Sequence, residues 1–399
     1  MPTRSSTENG SPHPILPLFR ECVALFTGDW PKGFHPRWKR RPWWHLVTTV
    51  LSLFGSVAGS SFILTMSLTF WPLLLLSWML TVHGARKAYL VICHYAVHGN
   101  MTGNTRWDRV LVEVLSTLLT TSHFARYRQD HVHTHHGPPF ATVEDSDLQF
   151  LLALGFRPSM SRDALWRHLH WTLVSPRFHL LFLWFRLQVN FIAAPWYRRI
   201  MASGYAIAAV TFLVLTNAWL LWLVAWVVPL FPLYHVAALL QFVSEHCWLQ
   251  VHPNDNPASR TGETMTNPKL VRGRLTFGRF VGDPLPGRDL PLGQCLWSWG
   301  RWVSRLLVLH IPTRLCVLPG DLCQHDWHHR HPQGDWSNAC YERQRDLAAS
   351  CPGWPEPYDE VWGLGKAIDV VFAGLASLPP LAACTWWCGA MSGGAFGLW

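Results

Sequence analysis

The sequence predicts an all-α integral membrane protein, with about four transmembrane helices in two hairpins beneath a cytoplasmic helical cap. Two stretches, Leu46 to Val82 and Met201 to Ser244, contain no Asp, Glu, Lys or Arg. Outside them lie three histidine clusters, His94-Tyr-Ala-Val-His98, His131-Val-His-Thr-His135-His136 and His325-Asp-Trp-His328-His329. Basic residues flank the charge-free stretches.

Each charge-free stretch is longer than the roughly 20 residues that cross a bilayer once. At ~1.5 Å per residue, one helix of that length overshoots a hydrocarbon core of ~30 Å. Each is therefore read as two spans and a turn, at about 43–60 and 62–82, then 203–222 and 224–246. Gly59-Ser60-Ser61 is the expected break in the first, and Asn217, or Pro229 with Pro232, in the second.

Topology follows from the basic residues. Lys32, Arg37, Lys39, Arg40 and Arg41 precede the first span, Arg86 and Lys87 follow the second, and Arg198 and Arg199 precede the third. By the positive-inside bias all face the cytoplasm. Paired crossings then leave every histidine cluster on that side. A net charge of +9 suits an anionic inner leaflet. Nucleic acid is not indicated, for there is no basic stripe with interleaved aromatics. Residues 1–20 hold no apolar core of a signal peptide. Arg outnumbers Lys, as in chains from GC-rich bacterial genomes, and with the apolar stretches this gives a bacterial inner membrane as the expected location.

Residues 1–42 read as a polar arm, 43–350 as the membrane domain with cap segments 83–200 and 247–350, and 351–399 as an apolar tail. The stretch from Pro253 to Gly287 reads mostly as loop. Leu180 to Ala194 is read as a helix on the membrane surface or within the cap. Proline and glycine punctuate Val370 to Trp399, which can lie on the membrane, pack on the bundle or cross it.

Imidazoles three or four apart share a helical face. His94 with His98, and His131 with His135, are spaced that way, and His136 turns aside by about 100°. In the third cluster His325, His328 and His329 are i, i+3 and i+4. Adjacent rings in a doublet point apart, so they can serve different metal ions. The ten cysteines include no CxxC pair, which argues against zinc ribbons and rubredoxin-like modules. No Glu has a His three residues later, so the Glu-x-x-His of carboxylate-bridged bundles is missing. Imidazole alone suits iron, zinc, copper and nickel.

The order HxxxH, HxxxHH, Glu245-His246, HxxHH resembles the membrane fatty acid desaturase and hydroxylase superfamily. Asp130-His131-x-x-x-His135-His136 is similar to the alkane omega-hydroxylase form of the second box, as are Glu245-His246 and Gln324-His325-x-x-His328-His329. The residues after the third box, His331-Pro332 through Trp336, Asn338 and Arg343, also resemble bacterial members. The resemblance spans roughly residues 85–345. It departs in a short first box, closed by Gly99, and leaves the C-terminal tail unexplained.

The resemblance implies two non-haem iron ions held by His94, His98, His131, His135, His136, His246, His325, His328 and His329, with O2 as co-substrate. It implies a desaturase acting on a fatty acyl chain or lipid; hydroxylation of a lipid or alkane at the same site is the alternative. A histidine-rich metal transporter or sensor is the reading from another class. Electrons are expected from a separate ferredoxin, rubredoxin or cytochrome b5 type donor with its reductase, because neither a His-Pro-Gly-Gly haem motif nor a ferredoxin cysteine set is present. Asp130, Glu245 and Asp326 are candidates to orient ligand imidazoles through the distal nitrogen. Glu144, Asp145 and Asp147 read as a solvated turn unless one of them meets a ligand histidine; His133 and His331 read as groups orienting the ligands or as solvated, His168 and His170 as interfacial, and His235 as a structural histidine of the bundle.

Overall fold

The computed structural model describes residues 15–248, 268–286 and 291–380. Helix α1 (Ile15–Thr27) forms within the expected polar arm. The first charge-free stretch becomes α2 (Pro42–Leu64) and a long helix α3 (Leu68–Val97). Their turn falls at Thr65–Ser67, so Gly59-Ser60-Ser61 does not break the chain. The reason is packing. His45, Thr49, Leu53, Ser56, Ser60 and Ile63 form one buried stripe of α2, three or four residues apart. Ser60 Oγ meets Ser77 Oγ at 2.7 Å, and Thr81 donates to Ser56 Oγ at 2.9 Å. Small and hydroxyl residues let membrane helices approach closely. Gly84 leaves no room for a side chain, since a Cβ there would lie 2.7 Å from Leu53 Cγ. On the opposite side of α2, Leu51 and Phe62 are exposed.

Helix α3 runs 30 residues, further than the expected span. It widens into a π-helical turn at Ala88–Cys93 and ends in His94–Val97, which carries the first histidine box beyond the apolar part. Arg86 and Lys87 thus lie within the continuous helix, after its apolar run, and are buried. Arg86 binds Gln241 and the Cys316 carbonyl, and Lys87 Nζ donates to Thr48 Oγ1 at 2.7 Å.

After α3 the chain builds α4 (Thr105–Leu119), whose N-cap Asn104 accepts from the Arg106 and Trp107 amides. Helix α5 starts as Phe124–Tyr127 and continues as a π-helical run, Arg128–His135. Then come α6 (Ser146–Ala153), α7 (Arg162–Val174) and α8 (Pro176–Leu187, prolonged through Gln188–Ile192). Helix α8 is two-sided: Phe178, Arg186 and Val189 are buried, whereas Leu180 and Trp184 are exposed.

The second charge-free stretch gives α9 (Trp196–Thr216) and α10 (Trp219–Phe242). They are split at Asn217, which adopts a left-handed conformation at φ 53°. Pro229 and Pro232 stay within α10, where the helix loosens to π geometry. Arg198 is fully buried, bonding Glu113, Thr117 and Asn190. It locks the start of α9 to α4 and is not a free marker of topology.

The remaining chain closes the cap. Helix α11 (Pro268–Leu275) leads to β1 (Gly278–Phe280), followed by α12 (Leu292–Val317), α13 (His325–Arg330) and α14 (Ala339–Ala348). Strand β2 (Glu360–Trp362) pairs in parallel with β1, in register Gly278↔Glu360. Helix α15 (Leu364–Ser377) packs Phe372 against Phe156 and Trp166. Asp369 accepts from Arg162 at 2.7 Å and from Trp166 at 3.2 Å. The start of the expected tail therefore belongs to the cap, and Leu381 to Trp399 lie outside the described residues. Among the described residues, four helices, α2, α3, α9 and α10, are each long and apolar enough to cross a membrane.

Candidate metal centre

Four segments bring the imidazoles together. The end of α3 supplies His94 and His98; α5 and the residue after it supply His131, His135 and His136. The turn after α10 supplies His246, and α13 supplies His325, His328 and His329. Two groups result. His94, His98, His131, His136 and His328 each offer a ring nitrogen within 4.8 Å of the others, and so do His135, His246, His325 and His329.

The partition follows local geometry. The π-helical run closes an i to i+5 bond, from the His136 amide to the His131 carbonyl at 2.8 Å, and sorts His131 and His136 into one group and His135 into the other. The expected His131–His135 face is present, with the two rings stacked at 5.3 Å, although each ring serves a different group. In α13, His325 and His329 are i and i+4 and share a group, and His328 turns to the first. Both doublets, His135-His136 and His328-His329, are divided between the groups.

Inner nitrogens approach closely. His94 Nε2 lies 2.7 Å from His328 Nε2 and 3.0 Å from His131 Nε2, and His328 Nε2 lies 3.1 Å from His136 Nε2. In the second group His246 and His135 are 3.2 Å apart, and His329 and His325 are 3.1 Å apart, again through Nε2. With metal–nitrogen bonds of about 2.0–2.1 Å, ligands at right angles lie about 3 Å apart. The donor set therefore fits a cation in each group. His94 Nδ1 donates to the Leu90 carbonyl at 3.1 Å, which leaves its Nε2 lone pair facing inward.

Burial, then neighbouring imidazoles, hold His136, His328 and His329 well below the usual histidine pKa, so these rings are neutral. Burial likewise lowers His98 to about 3. His135 goes the other way. Burial alone would lower it, but Asp145 and then Asp147 outweigh that effect and lift it to about 9. Asp145 is fully buried, accepts from His135 Nδ1 at 3.1 Å, and also takes the Ala141 and Asp147 amides. It is not part of a solvated turn. It holds the outer nitrogen of a site histidine, the role expected of Asp130, Glu245 and Asp326.

Those three carboxylates do other things. Asp130 accepts from Arg126 at 2.7 Å. Asp326 is buried against Arg343, with Oδ2 at 2.9 Å from Nη2, and receives the Trp327 amide. Glu245 does reach a ring of the site, but on the inner side: Oε1 is 3.2 Å from His325 Nε2. Gln241 donates to both of its oxygens at 3.0 and 2.9 Å, and Arg279 to one at 3.2 Å. His331 pairs with Asp346 at 2.7 Å, and His235 Nε2 lies 3.3 Å from Arg186 Nη1.

A cavity opens onto both groups. His94 and His131 of the first and His135 and His325 of the second line it, beside Glu245. Tyr89, Tyr127, Phe182, Phe185, Tyr234 and Phe242 supply much of the remaining wall. Phe182, Phe185 and Val189 come from α8, whose outer face is apolar and exposed.

No curated protein and no solved structure gives a significant match to the chain. The family model for fatty acid desaturases matches residues 69–279, more than half of the chain, from α3 into β1. That interval holds six of the nine candidate histidines, both helical hairpin partners of the second pair, and most of the cavity wall. Histidine boxes, apolar helices and family model agree, and the chain belongs to the fatty acid desaturase family.

Proposed function

We propose that the chain is an O2-dependent membrane oxidase that introduces a double bond into a fatty acyl chain or lipid. Two non-haem iron ions are assigned to the two histidine groups. One observation carries this reading: a single aromatic-walled cavity meets both groups, through His94 and His131 on one side and His135 and His325 on the other.

The residues' own work is placement. Asp145 fixes the His135 ring by its Nδ1 proton, and the Leu90 carbonyl does the same for His94. The aromatic part of the wall gives an apolar chain a surface on which to lie beside the centre. Glu245, oriented by Gln241 and Arg279, presents a carboxylate at the cavity edge that can accept a proton at Oε1. Iron bound in the groups supplies dioxygen activation and hydrogen removal from an unactivated carbon.

We assign the histidine side of the molecule to the cytoplasm, in a bacterial inner membrane, where a separate ferredoxin, rubredoxin or cytochrome b5 type donor with its reductase delivers electrons. Hydroxylation needs the same ligands and differs in how the chain is held. Expression in a host, followed by mass spectrometry of its lipids, tests the reading. A loss of about two mass units marks a double bond, and a gain of about sixteen marks hydroxylation, the alternative outcome. Unchanged lipids in membranes supplied with donor, reductase and O2 would refute both.

A further inference from the structure

We infer that α12 (Leu292–Val317) is an in-plane membrane helix, its apolar stripe seated in the leaflet nearest the histidine groups, and that it does not cross the bilayer. The inference rests on the reading of the chain as an integral membrane protein. It concerns a segment that lies beyond the residues matched by the family model.

Length and composition alone would let α12, with the bent continuation Leu322–Arg330, pass as a fifth span. Its tethers forbid that. Arg305 Nε and Nη2 bind Asp283 at 2.5 and 3.2 Å, His310 Nε2 binds the same carboxylate at 2.8 Å, and Trp302 Nε1 donates to the Asp283 carbonyl at 3.2 Å. Asp283 follows β1, and Arg279 of β1 binds Glu245 at the metal centre. The middle of α12 is thus held at the level of the site. After a 78° bend the chain enters α13 and the third histidine box, so it also returns to that level. Gly320 makes the turn possible, with φ +66° and no room for a Cβ beside Val91.

Among the described residues, nothing buries the opposite face. Leu292, Leu296, Trp299, Val303 and Leu307 recur at helical spacing and are exposed, Leu292 by 76% and Leu296 by 66%. Trp302 and Arg305 point the other way, toward Asp283. An apolar stripe backed by a charged face, with tryptophans along its length, is the pattern of helices that lie in the headgroup–acyl boundary.

The occupant follows from continuity with the spans. His83 Nδ1, inside α3, donates to the Leu315 carbonyl at 2.9 Å, and Arg86 of α3 donates to the Cys316 carbonyl at 3.2 Å. The end of α12 therefore sits against an apolar span, not against the far side of the cap. Next to it, Arg314 Nε donates to the Leu25 carbonyl of α1 at 2.9 Å, and Leu25 and Phe26 are themselves exposed. The apolar surface of α12 runs into that of α1 and α3, and lipid covers all three.

The test uses full-length protein in phosphatidylcholine/phosphatidylglycerol vesicles, with nitroxide labels at Leu292→Cys, Leu296→Cys, Val303→Cys and Leu307→Cys. The background replaces reactive native cysteines by serine. Collisions with oxygen and with a polar nickel complex are compared. Expected are oxygen-to-nickel ratios several-fold above an Asp163→Cys control, and similar at all four positions. High nickel accessibility would place the helix in water. Low accessibility to both reagents would mean a protein partner or second copy covers it. A steady change of depth from Leu292 to Leu307 would mean that it crosses. Each of these three results overturns the inference. Val210→Cys on α9 is the separate check of the membrane reading: if nickel reaches it freely, that reading fails, whatever α12 does.

Discussion

His135 and Asp145 are joined through Nδ1 and Oδ2 at 3.1 Å, both fully enclosed, and this pair fixes which nitrogen of the ring faces the other imidazoles. Loss of the carboxylate frees the tautomer. Asp145→Asn is expected to weaken metal binding at the four-histidine group by about 10–100-fold, with the five-histidine group less affected. Equilibrium metal titration of the purified variant checks this.

The split doublet makes a sharper prediction. His135 belongs to one group and His136 to the other. His135→Ala and His136→Ala should therefore each leave roughly one tightly held ion per chain, in different environments, and the double variant none. Metal analysis with spectroscopy of the residual ion distinguishes them. Identical residual spectra would contradict the partition.

Arg343 holds Asp326 at 2.9 Å and Glu360 at 2.8 Å, and its guanidinium lies over the Tyr358 and Phe280 rings. It ties α14 to α13 and β2. Removing one partner of a buried pair costs about 3–5 kcal/mol. Arg343→Met is expected to lower the unfolding temperature markedly, and to reduce metal content only as far as α13 loosens. Thermal unfolding in detergent, scored beside iron content, separates the two effects.

Gly84 faces Leu53 across the α2–α3 contact, and a Cβ would stand 2.9 Å from the Leu53 backbone nitrogen. Gly84→Val should destabilise the protein by about 1–3 kcal/mol through overpacking. Adding Leu53→Ala should restore only part, because the backbone nitrogen remains in the way. Complete restoration would mean that the helices are not pressed together there.

Much of this arrangement was legible in the sequence, because charge-free runs and histidine spacing report directly on lipid and on shared helical faces. The four long helices follow from hydropathy. What misled was the assumption of regular α geometry and of simple charge rules. In the π-helical run at Arg128–His135, His131 shares a group with His136 although its ring stacks on His135, a sorting that a 3.6-residue period cannot show. Gly59-Ser60-Ser61 looks like a break, yet the hydroxyl of Ser60 joins two helices. Arg86 and Arg198 resemble topology markers but are buried by partners distant in sequence. Asp145 is hidden among three acids, and only its burial between Ala141 and His135 distinguishes it. Helix α12 was lost because its charges, Arg301 and Arg305, interrupt the apolar count although they leave its outer stripe apolar.

The most direct test of the account is the iron content of protein purified from membranes without chelators, read by elemental analysis together with Mössbauer spectroscopy. Two imidazole-rich groups predict about two iron ions per chain, in two nitrogen-rich environments, with no thiolate signature. Protein that folds and inserts normally but holds no iron after reconstitution, or holds a single ion bound by all nine rings, would contradict it.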